Sequence, residues 1–136
     1  IHHKLQQEGR CEVVDLLLGH KANPSLCRSD GSTALYIAAQ NGYRRVVEQL
    51  LDAGASPNAA CQDGATPLFI ASQESHVDVV KVLASRGANV DAPFYDGTTA
   101  LIVAAQNGSE AVVEVLIKHY GTGQDTFFLI QFISDC

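Results

Sequence analysis

A period of 33 residues runs through most of this chain and limits what it can fold into. An Asp-Gly pair opens each copy, at 30–31, 63–64 and 96–97. Residues 30–51 and 96–117 are identical at 14 of 22 positions. A unit of this length is too short to bury a core alone, so neighbouring copies must pack on one another. The period therefore predicts a stack of similar structural units.

Each copy carries the signals of two short helices. Asp30-Gly31 predicts a tight turn, because glycine adopts backbone conformations that other residues resist. Thr33 precedes an apolar run and is placed to cap a first helix, which Gly42 is expected to end. Gly54 predicts a left-handed cap at the end of a second helix. The second helix is predicted from an apolar stripe at helical spacing, formed by Val46, Val47, Leu50 and Leu51.

The Asp-Gly turn, the Thr-x-Leu start and the Val-Val-x-x-Leu stripe, set in a 33-residue period, together resemble the ankyrin repeat. The resemblance covers roughly residues 7–120. It implies an all-α solenoid of helix-turn-helix units with short β-turn or hairpin loops. We assign a partial N-terminal repeat to 1–29, repeats to 30–62 and 63–95, a C-terminal repeat to 96–121 and a non-repeat apolar tail to 122–136.

Some positions depart from the repeat pattern. His2 and His3 stand where later copies have apolar residues, so we expect the first helix of the partial repeat to be frayed or absent. Lys21 occupies the register of Gly54, where a left-handed residue other than glycine costs about 1 kcal/mol. Ser75 replaces the glycine between the two helices of the middle repeat, which leaves the geometry of that turn open.

The two ends of the chain lie outside the pattern. The sequence starts at Ile1 in the middle of a repeat, so it looks like a fragment of a longer protein. The pattern stops after residue 123, and an apolar run follows at 127–133. Such a run must be buried or it will associate. We favour an irregular cap over the last helix pair, with an exposed or disordered end and a partner-binding strand as the alternatives.

Composition narrows the possible partners and the compartment. No apolar stretch approaches the about 20 residues of a membrane span, so no membrane insertion is expected. The net charge of −6 argues against a nucleic-acid partner. The four cysteines, Cys11, Cys27, Cys61 and Cys136, lack C-x-x-C spacing, which favours reduced thiols and a cytoplasmic or nuclear location. A disulfide between Cys27 and Cys61 is the alternative.

No arrangement of residues points to catalysis. An enzyme needs a nucleophile with a base, paired carboxylates, or a set of metal ligands at workable spacing. His20, His76 and His119 fall in different repeat environments, and His2-His3 is too short for a metal site. We therefore predict that the chain is not an enzyme, with no catalytic residue, cofactor or metal.

The resemblance to ankyrin repeats implies a binding surface, because loop tips and first helices line a groove that holds other proteins in that family. The corresponding positions are Ser29, Asp30, Ser32, Gln40, Asn41, Gln62, Asp63, Ala65, Gln73, Glu74, Phe94, Tyr95, Asp96, Thr98, Gln106 and Asn107. Phe94 and Tyr95 are the expected anchors, since aromatic side chains bring large contact area at low entropic cost. The alternative is that Phe94 packs on the neighbouring loop and Tyr95 is merely exposed. Gln40, Gln73 and Gln106 form either a structural ladder or a polar recognition row.

We predict a monomeric, non-catalytic scaffold module that binds a protein partner, which the sequence does not identify. The alternatives are a structural spacer within a larger multidomain protein and catalysis supplied by a neighbouring domain. A narrower hypothesis concerns Asn58, which lies eight residues after Leu50. The resemblance implies that Asn58 is a candidate for hydroxylation, because an oxygenase hydroxylates asparagines at this placement in some ankyrin-repeat proteins.

Overall fold

The computed structural model describes the backbone of residues 2–120 and the side chains of residues 10–119. That part of the chain contains seven α-helices: α1 His2–Gly19, α2 Ala34–Asn41, α3 Arg44–Asp52, α4 Pro67–Gln73, α5 Val77–Ser85, α6 Ala100–Gln106 and α7 Glu110–Tyr120. Apart from an isolated bridge between Cys27 and Thr33, no residue from 2 to 120 lies in a strand. The prediction of an all-α fold is confirmed.

The helices form two packed layers. One layer, called the inner layer below, contains α2, α4 and α6, which contact one another in chain order. The outer layer contains α1, α3, α5 and α7, and each inner helix also packs on the outer helix that follows it. One apolar cluster runs through the stack, with Leu35, Leu68 and Leu116 among its fully buried members. Each repeat thus supplies part of its neighbour's core, as the period predicted.

The inner helices begin and end at the residues that the sequence indicated. The Thr33 hydroxyl oxygen accepts a hydrogen bond from the Tyr36 backbone N–H at 3.1 Å. Thr66 and Thr99 cap α4 and α6 in the same way. Gly42 ends α2 with a φ of +74°, and its N–H bonds to carbonyls of the last turn. These caps satisfy helix-end groups that would otherwise lack partners.

The N-terminal unit has no separate first helix, as the polar residues at its start predicted. Those residues are helical all the same, because they form the first part of α1, which runs to Gly19 without a break. Residues 2–8 contain a single apolar residue, Leu5, which is too few to pack them as a separate inner helix, so the chain continues along the outer helix instead. Gly9, in the register of Gly42, therefore lies inside a helix. Lys21 has a φ of +64°, as its register predicted.

Ser75 keeps the turn geometry of the glycines that it replaces. Its φ is +60°, close to the +70° of Gly108 at the equivalent position. The Ser75 hydroxyl lies 2.5 Å from the Ser109 hydroxyl of the next repeat, within hydrogen-bonding distance. This contact offsets part of the cost of a left-handed serine.

Three further predictions concern the cysteines, the membrane and the tail. Cys27 and Cys61 are not joined, so the alternative of a disulfide between them is wrong. Within the described part of the chain, none of the helices combines the length and the apolar character needed to cross a membrane. The tail at 122–136, with its three alternatives for the run at 127–133, lies outside the described residues, and so does Cys136.

Candidate protein-binding surface

The tips of the repeat loops are tight turns held by aspartates. Asp30 Oδ1 accepts hydrogen bonds from the Ser32 N–H at 2.9 Å and from the Ser32 hydroxyl at 2.6 Å. Asp63 and Asp96 accept the equivalent backbone bond at 3.0 and 2.9 Å. Hydrogen bonds from Ser32 and Thr98 hold the pKa values of Asp30 and Asp96 below the ordinary range for aspartate. Asp30 and Asp96 are therefore ionised at neutral pH and are held in a fixed orientation.

Two of the predicted surface positions are buried. Ser32 is 3% exposed and Ala65 is 2% exposed, so the expectation that they line the surface is wrong. The Ser32 hydroxyl donates to Asp30 Oδ1 of the same loop, and Ala65 packs beside Phe69 in a small apolar cluster. The residue that follows each Asp-Gly pair turns back under the loop tip. Thr98, at the equivalent place in the last repeat, is half-buried.

The other predicted positions recur along the stack, once or more per repeat. The exposed members are Ser29, Asp30, Gln40, Asn41, Gln62, Asp63, Gln73, Glu74, Tyr95, Asp96, Gln106 and Asn107. Phe94 is only partly exposed. The exposed residues lie on the loop tips and on the C-terminal ends of the inner helices, and together they are called the loop-tip surface below.

Hydrogen bonds tie each loop tip to the next one. The Gln62 backbone N–H donates to the Asp30 carbonyl at 3.0 Å, and the Gln62 side chain donates to the Ser29 carbonyl at 2.8 Å. The Tyr95 N–H donates to the Asp63 carbonyl at 3.0 Å. The three tips are therefore connected to one another as well as to their own helices, which fixes their relative positions.

An aromatic stack crosses from an inner helix to the last loop tip. The rings of Phe69 and Phe94 are stacked, with centroids 4.9 Å apart and an interplanar angle of 4°. The Phe94 and Tyr95 ring centroids are 4.6 Å apart at 57°. The prediction of Phe94 as an anchor is therefore wrong, because its ring packs on Phe69, while Tyr95 is 78% exposed. The stack holds a large aromatic side chain in solvent at a defined place.

The three recurring glutamines keep their side chains available. Gln40, Gln73 and Gln106 are exposed, and within the part of the chain described here no hydrogen bond joins their side chains to one another. The links between repeats use their backbone carbonyls instead. His76 Nε2 donates to the Gln40 carbonyl at 2.9 Å, and Asn107 Nδ2 donates to the Gln73 carbonyl at 2.9 Å. This arrangement favours a recognition row over a ladder of glutamine side chains.

Sequence analysis did not single out His76 as part of this surface. Its ring lies so close to Gly42 of the preceding repeat that a Cβ on Gly42 would come within 2.7 Å of His76 Nδ1. The available signal was that Glu-Ser-His replaces the Asn-Gly-x of the other repeats. The position of the His76 ring depends on Gly42 in the preceding repeat, and a pattern within one repeat does not show that contact.

Two titratable side chains beneath the loop tips, Tyr36 and Cys61, have raised pKa values. Burial, helped by nearby Cys61 and Asp63, raises the pKa of Tyr36 to about 12. Burial also raises the pKa of the Cys61 thiol. Both groups stay protonated at neutral pH, so the nucleophilic thiolate is disfavoured. Among the described residues, no group of three or more His, Cys, Asp or Glu side chains is placed to hold a metal ion.

Asn58 is exposed, but both ends of its amide are bonded to the next repeat. Its Nδ2 donates to the Gly87 carbonyl at 3.3 Å, and its Oδ1 accepts from the Asn89 N–H at 2.6 Å. Asn58 therefore connects the loops that follow α3 and α5. Hydroxylation of Asn58 stays a hypothesis.

The comparisons with known proteins bear on the whole repeat stack. A family model described as ankyrin repeats (three copies) matches the chain at residues 1–94 and again at residues 46–127. A search of curated protein sequences finds no match. The overlapping family matches extend over the whole of the described stack.

Proposed function

Because this chain belongs to the ankyrin-repeat family, whose members are generally protein–protein interaction modules, we propose that it binds a protein partner on the loop-tip surface. Family membership supports the general function and a non-catalytic role. Three observations support the choice of the loop-tip surface: its side chains are exposed, hydrogen bonds connect its loops, and it holds the ring of Tyr95 in solvent. A monomer in the cytoplasm or nucleus is part of the same proposal, and the absence of a disulfide between Cys27 and Cys61 supports the reducing compartment.

The observation that carries the proposal is the exposed Tyr95 on top of the stacked Phe94 and Phe69 rings. A tyrosine held against a stacked ring loses little conformational freedom when a partner buries it. Energetically dominant interface residues are enriched in tyrosine and cluster near the centre of the contact. Tyr95 is therefore assigned as the anchor, and the partner supplies an apolar pocket for its ring.

The polar part of the loop-tip surface indicates which groups of the partner surround its pocket for the Tyr95 ring. The tip carboxylates of Asp30, Asp63 and Asp96 are exposed, and Glu74 adds another negative charge. The glutamine row offers both donors and acceptors. A partner surface rich in hydrogen-bond donors or basic side chains complements this arrangement, and such complementarity contributes mainly to specificity and to the association rate.

The mechanism of binding is rigid presentation. The loop tips are tied together by the Gln62 and Tyr95 backbone bonds before any partner arrives. A preformed surface avoids the entropic cost of ordering loops during association. A substitution that breaks the hydrogen bonds between the loop tips is therefore expected to weaken binding, even if it changes no side chain that contacts the partner.

The test is quantitative affinity capture from cell lysate with a Gln73→Arg, Tyr95→Ala double variant and a matched control. The control is Ala111→Arg, Ser85→Ala, which makes the same charge change at exposed positions on the outer helices. Both variants must retain the helical circular dichroism spectrum of the parent chain. Proteins retained by the parent and control but lost from the test variant support the proposal. Equal capture by all three baits contradicts it and favours the spacer alternative.

A further inference from the structure

The C-terminal ends of the inner helices are tied together by side-chain hydrogen bonds between repeats. In the last repeat, Asn107 Nδ2 donates to the Gln73 carbonyl at 2.9 Å. In the middle repeat, His76 Nε2 donates to the Gln40 carbonyl at 2.9 Å, and the ring nitrogen must be the donor because a carbonyl oxygen only accepts. Gln40 and Gln73 stand 33 residues apart, so two different side chains bond to equivalent carbonyls.

The two donors occupy different positions of the repeat. The residue equivalent to Asn107 in the middle repeat is Glu74, whose carboxylate accepts hydrogen bonds but does not donate them. The residue equivalent to His76 in the last repeat is Ser109. The link between repeats is therefore kept in the middle repeat, but its donor has moved from position 74 to position 76.

The move of the donor leaves the Glu74 side chain without a role in the stack. Glu74 is exposed, and its carboxylate makes no hydrogen bond or ion pair with any residue that the structure describes. The Asn107 amide, by contrast, is held by the Gln73 carbonyl. Glutamate at this register therefore replaces an amide that links two repeats by a carboxylate that is accessible to a partner.

The fold itself disfavours a negative charge at this place. Glu74 is the C-cap residue of α4. The carbonyl groups of the last turn give the C-terminal end of a helix a partial negative charge, so an acidic side chain there is destabilising and a neutral amide is preferred. The equivalent positions in the other two full repeats hold Asn41 and Asn107. A residue that lowers stability in this way is typical of a functional site.

Glu74 and the Tyr95 anchor lie at opposite ends of α4. The Tyr95 N–H donates to the carbonyl of Asp63, which precedes α4, and Phe94 stacks on Phe69 in the first turn of that helix. The helix has seven residues and is about 10 Å long. We infer that Glu74 is a specificity-determining residue of the loop-tip surface, whose carboxylate pairs with an arginine or lysine side chain of the partner, about 10 Å from the pocket for Tyr95. This inference rests on the proposed function.

Urea denaturation tests the exchange of donors. His76→Ala removes the bond to the Gln40 carbonyl and is expected to lower the denaturation midpoint. Adding Glu74→Asn supplies the amide that the last repeat has, and is expected to recover most of that loss. Adding Glu74→Asp, which matches asparagine in length but has no donor, is expected to recover none.

The same two substitutions in the parent chain measure the effect of the charge alone. The difference between Glu74→Asn and Glu74→Asp is expected to be larger in the His76→Ala background, where the amide is the donor that remains. A difference no larger than in the parent chain overturns the exchange of donors, and the inference with it.

A phage-displayed library of protein fragments, encoded by the genome that encodes this chain, tests binding. Fragments selected on the parent chain that bind Tyr95→Ala about tenfold more weakly are purified and titrated by fluorescence anisotropy. Glu74→Gln is expected to weaken these fragments about fivefold, and by less at high salt, because it removes one exposed charge pair. Glu114→Gln makes the same charge change at an exposed position of α7 and is expected to have no effect.

Charge reversal identifies the residue that Glu74 contacts. Glu74→Arg is expected to weaken the fragments further, and replacing one arginine or lysine of the fragment by glutamate is expected to restore part of the affinity. Without any fragment present, Glu74→Gln is expected to raise the urea midpoint, because it relieves the charge at the end of α4. A lowered midpoint, or a fragment in which no such reversal restores binding, overturns the inference.

The outcomes separate this inference from the proposed function. Fragments that are sensitive to Tyr95→Ala but bind Glu74→Gln as tightly as the parent support the proposed function and overturn this inference. A library in which no fragment distinguishes Tyr95→Ala from the parent contradicts the proposed function, and this inference fails with it.

Discussion

Replacing Gly42 by alanine tests the contact between Gly42 and His76 that links two repeats. Gly42 has a φ of +74°, so alanine there costs about 1 kcal/mol in backbone strain. The added Cβ would also lie 2.7 to 3.0 Å from three atoms of the His76 ring. The ring must move away, which removes the 2.9 Å bond between His76 Nε2 and the Gln40 carbonyl. Losing that bond costs about 1 kcal/mol more.

Gly108→Ala is the matched control, because it measures the cost of backbone strain without a contact to a histidine ring. Gly108 has a φ of +70°, and nothing lies within 4 Å of the Cβ that alanine would add. We expect Gly108→Ala to lower the free energy of unfolding by about 1 kcal/mol and Gly42→Ala to lower it by about 2 kcal/mol. Urea denaturation followed by circular dichroism measures both values, provided that the slope of the transition is unchanged.

A double-mutant cycle isolates the contact itself. In a His76→Ala background the ring is gone, so Gly42→Ala is expected to cost only about 1 kcal/mol, the same as Gly108→Ala in the parent chain. The reasoning is refuted if Gly42→Ala and Gly108→Ala cost the same in the parent, or if removing His76 leaves the cost of Gly42→Ala unchanged.

Three other substitutions test the caps, the core and a buried phenol. Thr66→Ala removes the cap of α4 and is expected to cost about 1 kcal/mol in urea denaturation, while Thr66→Ser retains the oxygen and most of the stability. Leu68→Ala empties a site that is 1% exposed and is expected to cost about 3 kcal/mol; a loss below about 1 kcal/mol would mean that the core is not packed as described. The pKa of Tyr36 is raised from 10.0 to about 12, so the unfolded chain releases its proton first and stability falls as pH rises from about 10 to 12. Tyr36→Phe is expected to remove that part of the pH dependence, and an unchanged profile would contradict the burial of the phenol.

Most of the fold could be predicted because its signals are local and repeated. Thr33 and Gly42 lie within a few residues of the helix ends that they set, so their roles follow from short-range chemistry. The fate of residues 2–8 could not be predicted in this way. Their polar residues predicted that the separate first helix is frayed or absent, but not that the outer helix continues through Gly9.

The loop-tip surface was predicted less completely, because burial there depends on the neighbouring repeat. Ser32 and Ala65 directly follow the exposed loop-tip aspartates and their glycines, and only the path of the loop shows that they turn beneath it. The stack of Phe94 on Phe69 joins residues 25 positions apart in different repeats, which no local pattern reports. Tyr95 was selected from sequence by residue type, and the stack explains how it is held.

Site-specific photocrosslinking at position 95 tests the central claim most directly. A photoreactive phenylalanine analogue replaces Tyr95 in one protein and Ala111 on the outer face of α7 in another, and both are illuminated in cell lysate. The account predicts a discrete crosslinked protein from position 95, absent from position 111 and reduced when excess unlabelled parent chain competes. Crosslinking that is equal at both positions, or that the Tyr95→Ala chain competes as well as the parent, would contradict a partner anchored on the loop-tip surface.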